Sequence, residues 1–395
     1  MLTPIDLILS AALSLGPYII NVRNHIHQNP ELRWEEENTI AFILSKLKEI
    51  RIDPSLELKI LPMDGGLVID LLRTGSSHED RRLFRADLDA LPIQEETGLP
   101  FASKTNGKMH ACGHDVHPAM LLGALKLLAE GGIKPVHNIR FVFQQAEENP
   151  ITLSGGATLV GSGVLENVSD VHMLHVWPDA MPGTFLSRPG AMLANSDRVK
   201  VSIQTTGGHV AYPNQGSSAA DIATDILMAM RGFGERFFEP GEQYSFLPAI
   251  IQVGKASNVR PGEGELWFSA RNFRFEDGRD NFAKAIKERI KAVVLGYPDA
   301  VVDVEYVRGH PMLFNTEEDV SRVGELLRKF GMTVEEIRPS SGGEDFAHYL
   351  KQRTGSAWMI GVGQKGSGPI HSSTFNPDEK AFTNGVAFWL LLATQ

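Results

Sequence analysis

Apolar and polar positions along this 395-residue chain fall into two kinds of pattern, helical and alternating. Near the start, Ile19, Ile20 and Val22 follow Pro17. After an interruption at Pro30-Glu31-Leu32, the residues Ile40, Phe42, Ile43, Leu47 and Ile50 recur at helical spacing. Short β-rich runs then predict strands over 66–72, 82–87, 139–145 and 170–175, each followed by a loop. One helix is predicted between the second and third of these. Pro118 suits its first turn, Leu121 to Leu128 is strongly apolar, and Gly131-Gly132 ends it.

The pattern changes at Arg198. Arg198-Val199-Lys200-Val201-Ser202-Ile203-Gln204 alternates strictly, as a strand does when its sheet has one wet face. Gly207-Gly208-His209 breaks it, and an amphipathic helix is expected over 217–233. Strands over 248–253 and 265–273, a helix over 280–295 and a strand over 301–307 complete the order β-α-β-β-α-β. That is the order of a ferredoxin-like α+β unit. The expected domains are therefore an insert over 195–308 and an α/β domain formed by 1–194 together with 309–395. In the last part, helices are expected over 319–330, from Gly342-Gly343-Glu344-Asp345-Phe346 onward, and over 378–392, with a strand over 357–362. The glycines 361, 363, 366 and 368 lack the lysine-serine pattern of a phosphate loop and read as flexibility.

Composition narrows the class. Apolar residues make up 42% and charged residues 22%, as in ordinary globular proteins with sizeable cores. A formal charge of −10 and the lack of a basic run argue against a nucleic-acid partner. No uninterrupted apolar run reaches membrane-spanning length, so no membrane partner is expected. The apolar N-terminus has no Lys or Arg before Arg23, unlike a signal peptide. A single cysteine permits no internal disulfide and suits a reducing compartment, which makes the cytoplasm the expected location.

Chemistry concentrates in Met109-His110-Ala111-Cys112-Gly113-His114-Asp115-Val116-His117, which holds that cysteine and three histidines. Cys112 and His114 are of the types that bind borderline-soft divalent metals, and they sit on a loop entering a helix N-terminus, where the dipole favours a thiolate. A buried thiol in a histidine-rich turn is the plain alternative. Asp87 and Asp89 end a strand ahead of Leu91-Pro92, where open α/β sheets place their chemistry, although turn-forming aspartates would look the same. Glu147 and Glu148 also end a strand. Adjacent carboxylates cannot point the same way, which suits one as a metal ligand and the other as a general base toward a water. His175 and His371 follow strands too and are further ligand candidates. His25, His27 and His172 read as structural, and His110, Asp115 and His117 as support.

Read together, Arg85-Ala86-Asp87-Leu88-Asp89-Ala90-Leu91-Pro92-Ile93-Gln94-Glu95-Glu96-Thr97-Gly98 and His110-Ala111-Cys112-Gly113-His114-Asp115 resemble the amidohydrolase branch of the carboxypeptidase G/aminoacylase metallopeptidases. That branch includes hippurate hydrolase, indoleacetyl-amino-acid hydrolase and N-acetyldiaminopimelate deacetylase. Ala146-Glu147-Glu148, His175-Val176-Trp177-Pro178, Gly207-Gly208-His209, Glu344-Asp345-Phe346 and Ile370-His371-Ser372 follow in the family's order.

The resemblance implies a catalytic α/β domain with a mixed central sheet flanked by helices, and a smaller lid domain through which two copies dimerise. It implies a dinuclear metal-dependent amidohydrolase cleaving N-acyl amino acids, with N-acetyl or aryl-acyl groups, to a carboxylate and a free amino acid. The implied ligands of two divalent ions are Cys112, His114, Glu148, His175 and His371. The thiolate favours zinc, with manganese, nickel or cobalt open. Glu147 would be the general base and His209 an oxyanion donor. Asn258 and Arg271 would contact substrate. Related enzymes outside the branch carry His-x-Asp where this chain has Asp87-Leu88-Asp89. On that comparison Cys112 takes the bridging position, and Asp89 orients a ligand or the base.

One departure stands out. Family members usually have proline where this chain has Gln145, and the loop 149–154 differs from the usual shape. The alternatives are a dipeptidase or carboxypeptidase on the same scaffold, a hydrolase with Cys112 as nucleophile, and a metal-binding protein without turnover.

Overall fold

The computed structural model describes residues 4–76, 80–149 and 153–395; the middle of the 149–154 loop lies outside this range. The chain forms two compact units. The first comprises 1–192, 314–338 and 345–395, and the second comprises 193–313 together with 339–344.

The first unit is built on an eight-stranded mixed sheet. Its strands in spatial order are Leu56–Leu61, Gly66–Arg73, Asn138–Gln144, Arg81–Asp87, Val168–Trp177, Thr354–Gly361, Phe185–Ser187 and Val334–Glu336. The central strands Asn138–Gln144, Arg81–Asp87, Val168–Trp177 and Thr354–Gly361 run parallel to one another. Their carboxyl ends, at Gln144, Asp87 and Trp177, therefore lie at one edge of the sheet.

Alternation in Asn138–Gln144 suggests one apolar face, yet every residue of this strand is buried. Its polar face is covered because Arg140 pairs with both carboxylate oxygens of Asp70 on the neighbouring strand, at 2.7 and 2.8 Å. Flanking helices supply the core. Pro4–Ser14, Gly16–Gln28, Val116–Ala129, Glu317–Lys329 and Phe382–Ala393 bring Ile8, Ile19, Leu121, Val323 and Phe388 into one apolar cluster with Phe84 and Phe141 of the sheet. Val116–Ala129 is buried nearly all round, as expected of a helix that is apolar on every side. Among the described residues no helix is long and apolar enough to cross a membrane.

The second unit carries a four-stranded antiparallel sheet in the order Tyr244–Val253, Glu263–Asn272, Asp197–Gln204, Val301–Val307, with helices Ala219–Met230 and Glu276–Val294. The element order along the chain is β-α-β-β-α-β. Val199, Val201 and Ile203 point into its core with Leu266, Phe268, Ile222, Ile226, Phe282 and Ile286. Lys200 and Ser202, at the intervening positions, are half-buried on the other face.

Candidate metal centre

The carboxyl edge of the first unit's sheet gathers five side chains from four separate segments. Cys112 and His114 lie on the loop entering Val116–Ala129, His175 lies on Val168–Trp177, Glu148 follows Asn138–Gln144, and His371 follows Thr354–Gly361. Ligand atoms of Cys112, His114 and His175 fall within 4.8 Å of one another, and so do those of Cys112, Glu148 and His371. The two groups share the thiol. Sγ of Cys112 is 3.5 Å from Nε2 of His175, and Nε2 of His371 is 2.9 Å from Oε1 of Glu148.

Gly113 makes the first approach possible. It has φ +91°, and a Cβ there would lie 2.3 Å from the Cγ2 of Val176, the residue after His175. Only a residue without a side chain lets the Cys112–His114 loop lie against that strand end.

The rings are oriented from behind. His175 donates from Nδ1 to the carbonyl of Val176 at 2.7 Å, so its Nε2 carries the lone pair that faces Cys112. His114 donates from Nδ1 to the carbonyl of Asp89 at 2.9 Å, and its buried Nε2 makes no hydrogen bond among the described residues and faces Asp87 at 3.7 Å. A buried ring nitrogen left in this way calls for a ligand. Asp89 lies 3.2 Å from His114 Nδ1 through one oxygen, and with the other accepts the N–H of Glu148 at 2.8 Å. His117 accepts the N–H of Val176 and donates to Asp87 at 2.6 Å. Arg23 and His27 converge on Asp115 at 2.7 and 2.8 Å, bracing the base of the loop.

The electrostatics fit a cation. Hydrogen bonds to Cys112 and Glu148 push His371 up to about 10. Burial alone would lower His114, but Asp87 and Cys112 outweigh it and hold His114 well above the usual range. Protons are thus drawn to a cluster of thiol and carboxylate. Divalent ions would replace them with more charge, and the N, S and O donors match borderline-soft metals. Burial pushes the Cys112 thiol up, opposite to what an activated nucleophile needs.

Glu147 is buried with a carboxylate oxygen within 4.8 Å of ligand atoms of His114 and Glu148. Both Ala146, just before it, and His371 adopt left-handed backbone, at φ 52° and 64°. Such conformations are uncommon outside glycine and cluster where structure over-determines a functional side chain.

His209, Asn258 and Arg271 lie in the second unit. His209 is exposed on a two-residue strand paired with Val259. Asn258 accepts from the N–H of Val210 at 3.5 Å. Arg271 is half-buried, with Nε 3.4 Å from the hydroxyl of Ser269. One residue that the sequence pattern did not mark as functional is Glu36. It is fully buried and raised to about 7, by burial and then by Asp89.

A second buried group, Asp170, His172 and Asp319, also has ligand-type atoms close together. Arg322 pairs with both of its carboxylates and Arg82 with Asp170, so its negative charge is already neutralised.

The N-acetyl-L-cysteine deacetylase of Bacillus subtilis is 34% identical over 378 residues, covering 95% of this chain and 87% of that one. Thermostable carboxypeptidase 1 of Saccharolobus solfataricus is 31% identical, covering 96% and 95%. A solved Bacillus subtilis structure, described as a dinuclear metal binding peptidase from M20 family, superposes with a TM-score of 0.80 at 28% identity, covering 96% and 98%. A family model described as Peptidase family M20/M25/M40 matches residues 83–395. The chain belongs to Peptidase family M20/M25/M40 and is an enzyme that acts on amide bonds.

Proposed function

We propose that this protein hydrolyses N-acyl amino acids, with acetyl or aryl-acyl groups, at a centre for two divalent ions. The observation that carries this reading is the pair of ligand groups sharing Cys112, with Glu147 beside them. Cys112, His114 and His175 would hold one ion, and Cys112, Glu148 and His371 the other. Bound there, the ions supply Lewis acidity, polarising the acyl carbonyl and lowering the pKa of a water toward neutrality. The relative named as an N-acetyl-L-cysteine deacetylase and the neighbour described as dinuclear support this reading. The thiolate favours zinc, with manganese, nickel or cobalt as the alternatives.

Glu147 is the general base: it takes the proton of the attacking water and passes it to the leaving amine. Asp89 positions His114 and the backbone of Glu148. His209 accepts the N–H of Ala211 on Nδ1 at 3.1 Å, so the neutral ring carries its proton on Nε2, a donor suited to an oxyanion. The half-buried guanidinium of Arg271, with Asn258, receives the free carboxylate of the amino-acid part. Arg271→Ala is expected to raise KM by about 10- to 100-fold for N-acetyl amino acids, the worth of a hydrogen bond to a charged group. It should leave KM little changed for the same substrates with the carboxylate amidated. Steady-state kinetics on both series check this.

The second unit is the lid and dimerisation domain in this reading, and the protein is a cytoplasmic homodimer. Strand Tyr244–Val253 is the edge of its sheet, yet Leu247, Ile250 and Ile251 are 63%, 41% and 56% exposed. An apolar unpaired edge is a template for a second copy. Ile251→Lys should shift the protein from dimer to monomer in sedimentation velocity.

Hydrolysis of a panel of N-acetyl and aryl-acyl amino acids and unblocked dipeptides, with each metal added back, tests the substrate class. Faster turnover of the dipeptides would favour the peptidase alternative, consistent with the relative named as a carboxypeptidase.

A further inference from the structure

We infer that Glu36 is a positioning residue that aims the general base Glu147 by holding the turn 145–148. This rests on the reading of Glu147 as base and Glu148 as ligand.

Glu36 is fully buried, just before helix Glu37–Leu47, and its two oxygens divide between the backbone and side chain of that turn. Oε1 accepts the N–H of Ala146 at 2.7 Å, and Oε2 accepts Nε2 of Gln145 at 2.9 Å. Ala146 is the residue held at φ 52°. Two N–H groups further along, Asp89 accepts from Glu148 at 2.8 Å. Buried carboxylates therefore clamp the turn at 146 and at 148, on both sides of Glu147.

The segment bearing Glu36 makes a second contact with the turn. Arg33 donates to the carbonyl of Glu148 at 3.2 Å, and Trp34 between them is itself left-handed, at φ 66°. The other flank is closed as well: the N–H of Gly155 meets the carbonyl of Ala146 at 3.2 Å, and a Cβ on Gly155 would lie 1.7 Å from the carbonyl oxygen of Gln145. The turn has no room to relax toward Gly155, and the acceptors that Glu36 supplies hold it from the opposite side.

Gln145 donates its own N–H to the carbonyl of Gly65 at 2.9 Å, and its side chain adds an amide. Here that amide is the group Glu36 binds.

The test is a swap of partners on the metal-loaded enzyme, read by kcat, KM, melting temperature and zinc binding by calorimetry. Glu36→Ala should lower kcat by roughly 10²-fold, the scale of a misplaced reacting group, with KM and zinc stoichiometry little changed. Gln145→Glu should also lose activity, because it sets two carboxylates face to face. The double variant Glu36→Gln with Gln145→Glu keeps an acceptor for the Ala146 N–H and restores a matched amide–carboxylate pair. It should recover most of the kcat lost in Gln145→Glu alone.

Full kcat in Glu36→Ala and Gln145→Glu, alongside an inactive Glu147→Gln, would overturn the inference and leave the base assignment standing. Parallel loss of kcat, zinc binding and melting temperature with no recovery in the swap would also overturn it, reducing Glu36 to a structural role. An active Glu147→Gln would instead remove the reading on which the inference rests.

Discussion

Replacing Glu147 by Gln is expected to lower kcat by about 10²–10⁴-fold, the usual contribution of a positioned general base. Metal content should be retained, because none of Cys112, His114, Glu148, His175 and His371 is altered. The substitution keeps the shape of the side chain and removes only its capacity to accept a proton. Since Glu147 is buried with its carboxylate beside His114 and Glu148, a glutamine fits the same volume. KM should stay close to the wild-type value, because the group acts on the water and the leaving amine and not on the bound acyl amino acid. Rapid-mixing and steady-state assays of the zinc-loaded variant measure this. Substantial remaining turnover would remove Glu147 from the role.

Stripping the protein with a chelator should abolish turnover, and adding back a divalent ion should restore it. The loss should be near complete, since without Lewis acidity neither the water nor the carbonyl is activated. Stability should change in the same direction. An ion that binds only the folded form stabilises it by about 4 kcal/mol at 1,000 times its Kd, so the stripped protein should melt several degrees lower. Scanning calorimetry against metal concentration checks the second effect independently of the first. A chelator-resistant activity with a trapped acyl group on Cys112 would favour the thiol nucleophile instead. The buried, upward-shifted thiol argues against that outcome.

Much of this site is legible in the chain before any coordinates. The runs that become Arg81–Asp87, Asn138–Gln144 and Val168–Trp177 are β-rich, and each delivers an acid or histidine at its end. The strict alternation from Arg198 to Gln204 reports a one-sided sheet directly, because side chains in a strand point to opposite faces. What stays hidden depends on partners far apart in sequence. Glu36 reads as one of three consecutive glutamates at a helix start, and nothing local says that it meets Ala146, 110 residues later. The burial of both faces of Asn138–Gln144 likewise requires Asp70, 70 residues away, to neutralise Arg140.

Two elements at the start of the first unit also escape the pattern. Pro4–Ser14 lacks a polar face to give it period, and Leu56–Leu61 is a short edge strand whose polar positions resemble a loop. The glycines after residue 360 read as flexibility, but Gly361 passes tightly against the backbone of Met181. Close approach explains that glycine better than freedom of motion.

The most direct test of the account is the position of bound metal. Crystals of zinc-loaded protein, with data collected above and below the zinc absorption edge, should show two anomalous peaks. One should lie among Cys112, His114 and His175, the other among Cys112, Glu148 and His371, with the Cys112 sulfur shared. Peaks elsewhere, a single ion that leaves His371 and Glu148 without metal, or zinc bound without contact to Cys112 would contradict it.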